Sequence, residues 1–294
     1  MQRKKVVYFY LMILSFFSAA AWSDSAVSSS EADSLATADL AEIDRKLNNP
    51  LTDLWSLTFQ NNTTIHKGDA VDGHEVSNNF FFQPFLPFAV GENKETMLTF
   101  RPVFPLVTNP VFKEPDLRNS SDHDTGLGDV QLLTLMGPSS PDGWVWGVGA
   151  TTVFPTATED TLGNDLYQAG PAAMIFNIGK PWIYGALVQH WWSYAGDDDA
   201  PDISRTDLQY TVRYSLPDAW SIGMGPTVTI DWEANSDNRW TVPVGLGLTK
   251  TIRWGKMPIK FRVEGHYSVL RPDDYGSEWV IRLQMTPVIP NPFR

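Results

Sequence analysis

From Leu54 onward the chain repeats one pattern, in which apolar and polar side chains alternate with a period of two. "DLQYTVRYSL" (207–216) sets Leu208, Tyr210, Val212, Tyr214 and Leu216 against Asp207, Gln209, Thr211, Arg213 and Ser215. Successive side chains of a strand point to opposite faces, so such a segment is a β-strand with one greasy and one wet face. "IKFRVEGHYSV" (259–269), "WVIRLQMT" (279–286) and "WSIGMGPTVTIDW" (220–232) alternate in the same way. About twelve strands are predicted, near 54–64, 77–88, 96–106, 127–137, 143–155, 166–178, 182–194, 205–216, 219–232, 240–253, 258–270 and 278–289. Two architectures satisfy this pattern. A soluble sandwich turns the greasy faces into a core. An outer-membrane barrel turns them to lipid and the polar faces to a lumen.

The connections discriminate. Short ones ("PSSPD", "GKP", "LPDA", "WGKMP") alternate with long ones ("IHKGDAVDGHEVS", "TNPVFKEPDLRNSSDHD", "TATEDTLGND", "AGDDDAPDI", "EANSDNR", "RPDDYGS"). Short periplasmic turns and longer outer loops belong to outer-membrane barrels, and twelve strands with both ends periplasmic need six outer loops. Six long connections are present. Aromatics at both ends of an apolar face, as at Trp220 and Trp232, suit the interfacial girdles of such a barrel. The expected fold is therefore an all-β, transmembrane, antiparallel up-and-down β-barrel of about twelve strands over 54–294, in the bacterial outer membrane.

The N-terminal residues read as an export signal over 1–23. "MQRKK" is its positive region and "VVYFYLMILSFFSAAA" its apolar stretch, shorter than the roughly 20 residues a spanning helix needs. Its removal takes away Arg3, Lys4 and Lys5 and no acid, which carries the formal charge from −12 to about −15. Residues 24–53 form a periplasmic leader. In it Ala36, Leu40, Ile43 and Leu47 share one face of a short amphipathic helix that stops at Asn48, Asn49 and Pro50. Three placements remain open for that helix: in the lumen as a plug, at the periplasmic mouth, or mobile.

Composition removes several kinds of chemistry. With no cysteine there are no disulfides and no thiolate metal sites, and the acidic balance carries no basic stripe for nucleic acid. Most acids fall in the long loops. The run Asp197, Asp198 and Asp199 lacks the glycine-punctuated spacing of a calcium loop. No G-x-S-x-G elbow occurs. His190 and Ser193 fall on opposite faces of one strand. "GLGDV" and "GVG" open no helix and precede no Lys-Ser or Lys-Thr, so these glycines are read as relief for strand curvature. No cofactor is expected. Expected partners are outer-membrane lipid and lipopolysaccharide, the barrel-assembly machinery and a small-molecule solute.

"GLGDVQLLTLMGP" (126–138) and "GVGATTVFPTATEDTLGNDLYQAGPAAMIF" (147–176) resemble the outer-membrane barrel family named for the meta-pathway of phenol degradation. "NNPLTDLWSLTFQNN" (48–62), "WIYGALVQHWWSYAG" (182–196) and "WTVPVGLGLTKTIRWGKMP" (240–258) extend the similarity over nearly all of the chain after the signal. The resemblance implies a channel or transporter for small molecules, aromatic or hydrophobic compounds among them. It brings no agreed set of binding or catalytic residues. At the C-terminus Phe293 keeps the lipid-facing parity of Trp279 and Leu283, but Arg294 follows it, a departure from barrels that end on an aromatic residue.

Parity alone names the pore wall. Lys260, Arg262, Glu264 and His266 lie on one polar face, Arg282 on the next strand, Arg213 on the strand of 205–216 and Arg101 on that of 96–106. Either these cations set ion selectivity and orient anionic or polar solutes, or they pair with inward carboxylates such as Glu264. A non-conducting structural barrel and a barrel-embedded lipid hydrolase are the alternative functions.

Overall fold

The computed structural model describes residues 33–113 and 116–291. The export signal and the first leader residues predicted from the sequence, and the C-terminal Phe293 and Arg294, lie outside the described residues. A helical turn over 33–37 and helix α1 (Leu40–Lys46) precede the strands β1 (Trp55–Lys67), β2 (Glu75–Val90), β3 (Thr96–Lys113), β4 (Asp116–Leu127), β5 (Val130–Pro138), β6 (Gly143–Phe154) and β7 (Leu166–Ile178). Then follow β8 (Trp182–Gly196), β9 (Ser204–Leu216), β10 (Trp220–Met224), β11 (Thr227–Asp231), β12 (Trp240–Trp254), β13 (Met257–Leu270) and β14 (Gly276–Ile289). Sequential strands pair antiparallel, and β1 pairs β14 with Phe59 opposite Met285, which closes the sheet on itself.

Fourteen segments make twelve staves, because two staves are interrupted. The segment read as one strand over 219–232 divides into β10 and β11 at Gly225–Pro226. Proline has no N–H for the ladder, so regular pairing stops there. The second interruption separates β4 from β5 at Gly128–Asp129. There the Asp129 carboxylate accepts from the backbone N–H groups of Thr156, Ala157 and Asn164 at 3.1, 3.1 and 2.9 Å, pinning the outer loop to the wall.

The connection over 108–124, expected to be a loop, is instead the outer end of a hairpin, with β3 and β4 paired from Leu106↔Leu127 to Lys113↔Asp116. Thr108, Val111 and Phe112 favour extended backbone, and Pro110 sits opposite His123 near the tip, where a lost N–H costs little.

The outward face carries the membrane signature. Trp144, Trp146, Trp182, Tyr184, Trp220 and Trp254 are exposed beside the short turns, and Trp192, Tyr194, Tyr167, Trp232, Trp240 and Trp279 beside the long loops. Between the two belts the exposed side chains are aliphatic, such as Val148, Ile175, Leu246, Leu248, Val263 and Leu283. Along β8, Trp182 and Trp192 stand ten residues apart, one in each belt. At about 3.3 Å per residue and a tilt near 40°, that spacing is roughly 25 Å of height, the apolar band of an outer-membrane barrel. These aromatics face lipid.

The interior is divided. Met97, Leu133, Leu135, Val145, Met174, Phe176, Ile178, Ile183 and Leu187 form an apolar half-wall on β3 and β5–β8 at the short-turn end. The opposite half-wall, on β9, β10 and β12–β14, is polar and buried: Arg213, Ser221, Thr249, Thr251, Lys260, Glu264, His266, Arg282 and Thr286. Such a split interior needs something amphipathic between its halves. The leader supplies it.

Candidate functional site

The leader segment enters the barrel from the short-turn end. Helix α1 begins with Asp39, whose carboxylate caps the N–H of Ala41 at 3.1 Å, and it carries Glu42 in its first turn and Arg45 and Lys46 in its last. That charge order complements the helix dipole. On its apolar side, Ile43 packs with Leu35 and Val288, and Ala38, Leu47 and Leu54 lie against them. On its polar side, Asp44 faces the charged half-wall. The Asp44 carboxylate accepts from Thr251 Oγ1 at 3.0 Å and pairs with Lys260 Nζ at 3.2 Å.

Beyond the helix, Asn49 makes an Asx turn to the N–H of Leu51 (2.9 Å) and donates to the Ser140 carbonyl in the β5–β6 turn (3.0 Å). Arg45 donates to the Pro141 carbonyl of the same turn at 3.0 Å. Leu51 then crosses to the apolar half-wall and joins its core. Its seat depends on glycine. A Cβ on Gly137 would come within 2.6 Å of Leu51 Cδ1, and one on Gly147 within 3.2 Å. Gly137 and Gly147 therefore form a socket for the side chain, a specific use of Gly147, which the sequence pattern had assigned to curvature. Of the three placements open for the helix, the structure has it inside the barrel, bridging both half-walls.

Above the segment lies a cavity of about 730 Å³. Its floor is Leu47, Asn48, Asn49, Pro50 and Thr52, and its walls are rich in Thr, Gln and Asn side chains. Five cations line it (Arg101, Arg205, Lys260, Arg262 and Arg282) against one carboxylate, Asp207. Behind the wall stand Arg213, Glu264 and Asp44, so the surplus remains positive in a chain whose formal charge is −12.

The seven residues assigned to the pore wall by parity all point inward, in two roles. Arg101, Lys260, Arg262, His266 and Arg282 line the cavity, whereas Arg213 and Glu264 are buried behind it. Glu264 is the hub of an ion cluster. It pairs with Arg213, with Arg262 Nε at 3.7 Å and with Arg282 Nη1 at 3.5 Å, and it contacts His266 Nε2 at 3.1 Å. Arg213 also donates to Thr249 Oγ1 at 2.9 Å. Pairing with inward carboxylates thus accounts for all of these cations except Arg101.

Sequence reasoning missed three features of the site. The strand break at Gly225–Pro226 frees the Gly225 carbonyl, which accepts from Arg282 Nη1 at 2.8 Å. Asn48 of the floor accepts from Arg262 Nη2 at 3.3 Å, tying the segment to the ion cluster. At the outer rim, His66 Nε2 stands 2.8 Å from Ser77 Oγ, with Tyr275 stacked on the ring at 4.7 Å between centroids. Burial pushes the Tyr275 phenol up to about 12, helped by the nearby Glu75 charge. Glu75, across the ladder from His66, is engaged by the backbone N–H and hydroxyl of Ser120. No acid hydrogen-bonds the His66 ring among the described residues, so a Ser–His contact stands without an orienting acid. His190 is bonded to Thr206 (2.7 Å) and Ser193 to Asp202 (3.4 Å), away from each other. The Asp197–Asp199 run closes on itself as an Asx turn (2.9 Å). Among the described residues no group of three His, Asp or Glu is placed to hold a metal ion.

Twelve staves, two aromatic belts and a wet charged interior meet in one molecule. An outer-membrane channel from Pseudomonas putida F1 shares this fold with a TM-score of 0.60 and 14% identity, over 80% of this chain and 94% of that one. This chain is an outer-membrane β-barrel. The NanC porin is 10% identical with a TM-score of 0.48, over 79% of this chain and 98% of that one. CymD, a monoaromatic hydrocarbon channel, is 10% identical with a TM-score of 0.40, over 83% and 92%. At such identities the likeness is one of fold. No model of a known protein family matches the chain, nor does any curated protein. The resemblance to the phenol-pathway family thus rests on the quoted segments alone.

Proposed function

We propose that the protein is an outer-membrane channel or transporter for small solutes, gated at its periplasmic end by residues 33–53. The observation that carries this reading is the cavity itself: a space of about 730 Å³ inside the barrel, with polar walls, whose floor is a separate segment rather than wall side chains. A structural barrel would fill that space with its own side chains. Here the filling is a short helix held by one buried ion pair, by Ile43 and Leu51 as apolar anchors, and by hydrogen bonds to turns and to wall arginines. Such an element can leave without disturbing the ladders. Aromatic solutes, as the family resemblance implies, would have to pass a wall that is mostly polar and cationic, which favours those that also carry a polar or negative group.

Swelling of proteoliposomes in isosmotic solutes tests the reading. Vesicles bearing the full chain should swell slowly in small anionic and neutral solutes. Vesicles bearing a chain without residues 33–51 should swell several-fold faster. A truncated chain that folds yet admits nothing would leave the barrel as a structural one.

A further inference from the structure

Four of the five cations that line the cavity already have a carboxylate: Arg205 has Asp207 at 2.8 Å, Lys260 has Asp44 at 3.2 Å, and Arg262 and Arg282 share Glu264 at 3.7 and 3.5 Å. Arg101 differs. No ion pair or hydrogen bond to its side chain is found among the described residues, and its Nε is buried with no partner. It lines the cavity, but its neighbours directly across the ladder on both sides are apolar. The ladder pairs Arg101 with Leu133 of β5. The β2–β3 register, which takes Phe82 to Phe104 and Leu86 to Phe100, sets Phe85 opposite Arg101 on the other side. Phe85, Phe81 and Val103 line the same cavity from that wall, with Gln83 between the two phenylalanines.

A cation that lines a cavity beside apolar side chains and has no counter-ion is only partly hydrated, and its charge is free to be met by a ligand. A ligand carboxylate would replace it with two parallel charge-assisted hydrogen bonds, the geometry to which a guanidinium is suited. The neighbouring phenylalanines would cover an apolar body attached to that carboxylate, and aromatic rings pack well against aromatic rings. A hydrophilic anion such as chloride would satisfy the charge but leave Phe81 and Phe85 facing it.

We propose that Arg101, with Phe85 and Phe81, is a binding site for small organic monoanions that join a carboxylate to a flat apolar body, an arylcarboxylate being the simplest. Arg101 takes the carboxylate and the two phenylalanines take the ring. This deepens the channel reading, since it names the class of solute the cavity holds on its way through.

Benzoate is the probe, and binding is measured separately from passage. Ligand-observed NMR on the full chain extracted in detergent, with benzoate, acetate, benzyl alcohol and benzylammonium, reads the site directly. Benzoate should bind at least tenfold more tightly than acetate, which lacks the ring, and than benzyl alcohol, which lacks the charge. Benzylammonium should not compete. Arg101→Gln should weaken benzoate about tenfold or more, Arg101→Lys should weaken it less, and Phe85→Ala should bring benzoate down toward acetate. The arginine variants are checked for the folded form by heat-modifiable migration. If Arg101→Gln does not fold, Arg101→Lys and Phe85→Ala decide the matter by the same ratios. Equal binding of benzoate and benzyl alcohol, or benzoate binding that ignores both Arg101 and Phe85, overturns the proposal. Benzoate binding with the expected losses, in a protein whose vesicles do not swell, would uphold the site and sink the channel.

Discussion

Asp44→Ala tests the gate at its buried ion pair with Lys260. In the intact protein Lys260 Nζ meets Asp44 Oδ1 at 3.2 Å, with side-chain exposures of 2% and 4%. Asp44 also takes the Thr251 hydroxyl at 3.0 Å. Removing the carboxylate strands a buried ammonium, and breaking a buried pair from one side costs about 3–5 kcal/mol. At 1.4 kcal/mol per factor of ten, the equilibrium between docked and released segment should shift by about a hundred- to several-thousand-fold. The apolar anchors remain, and burial of a leucine such as Leu51 contributes about 1.5–3 kcal/mol. The segment should therefore open often rather than stay out. Single-channel recording in planar bilayers reads the change as more frequent and longer openings to the conductance of the truncated chain. A second arm uses the absence of native cysteine. Asn49 reaches the Ser140 carbonyl at 3.0 Å, so Asn49→Cys with Ser140→Cys can be bridged by a short, cleavable thiol crosslinker. Bridged Asp44→Ala protein should be as closed as wild type, and should open on release of the bridge. An Asp44→Ala channel that opens no more often than wild type would refute the latch, as would one that the bridge cannot close.

Three further outcomes follow from the same geometry. Phe261 is exposed on the outer face while Arg262, its neighbour, points into the barrel. Phe261→Arg should cost about 2–4 kcal/mol near the bilayer midplane, whereas Arg262→Gln leaves Glu264 with Arg213 and Arg282 and should fold; the folded fraction in lipid vesicles compares them, and equal tolerance would contradict the facing. Gly137→Ala would set a Cβ 2.2 Å from the Trp146 carbonyl oxygen as well as against Leu51, while at Gly265 nothing lies within 4 Å. The first should lose heat-resistant folding or displace the segment, and Gly265→Ala should do neither. Arg45 hydrogen-bonds Glu42 and holds its carboxyl below the ordinary value of 4.5. Arg45 travels with the segment, so the part of this depression linked to docking is the part owed to Lys180 of the β7–β8 turn, 3.9 Å from Glu42; it supports docking above the ordinary value and is lost as pH falls through the depressed one. Opening should rise in acid below about pH 4, and the rise should be weaker in Glu42→Gln.

The barrel was legible because its rule is short-range. Parity along a strand fixes which face a side chain takes, so one alternation such as Lys260, Arg262, Glu264 and His266 places four residues inside at once. Connection length then told the two ends apart. The helix was legible from Ala36, Leu40, Ile43 and Leu47, and the structure bounds it at Leu40–Lys46. Its destination was not, because the contacts that hold it are long-range: Asp44 with Lys260, Leu51 with Gly137 and Gly147, Asn49 with Ser140. The one available cue was an odd carboxylate, Asp44, next to the apolar face of an amphipathic helix. The ion cluster was half legible. Alternation put Arg213, Arg282 and Glu264 in one interior, but only the order of strands around the barrel brings β9 and its Arg213 to the Glu264 of β13. The hairpin over 108–124 was hidden by its polar, proline-containing sequence, which reads as loop wherever no sheet is there to extend. Arg101 looked like one cation among several until its partners could be counted.

The central claim, a cationic lumen closed by the leader segment, is tested most directly by one bilayer recording. The full chain and a chain lacking residues 33–51 are inserted separately under a potassium chloride gradient, and conductance and reversal potential are read together. The truncated chain should conduct several-fold more than the full chain, with a reversal potential on the anion-selective side, as expected of a cavity lined by five cations and one carboxylate. Equal conductance of the two chains, or a cation-selective reversal potential in the truncated one, would contradict the account.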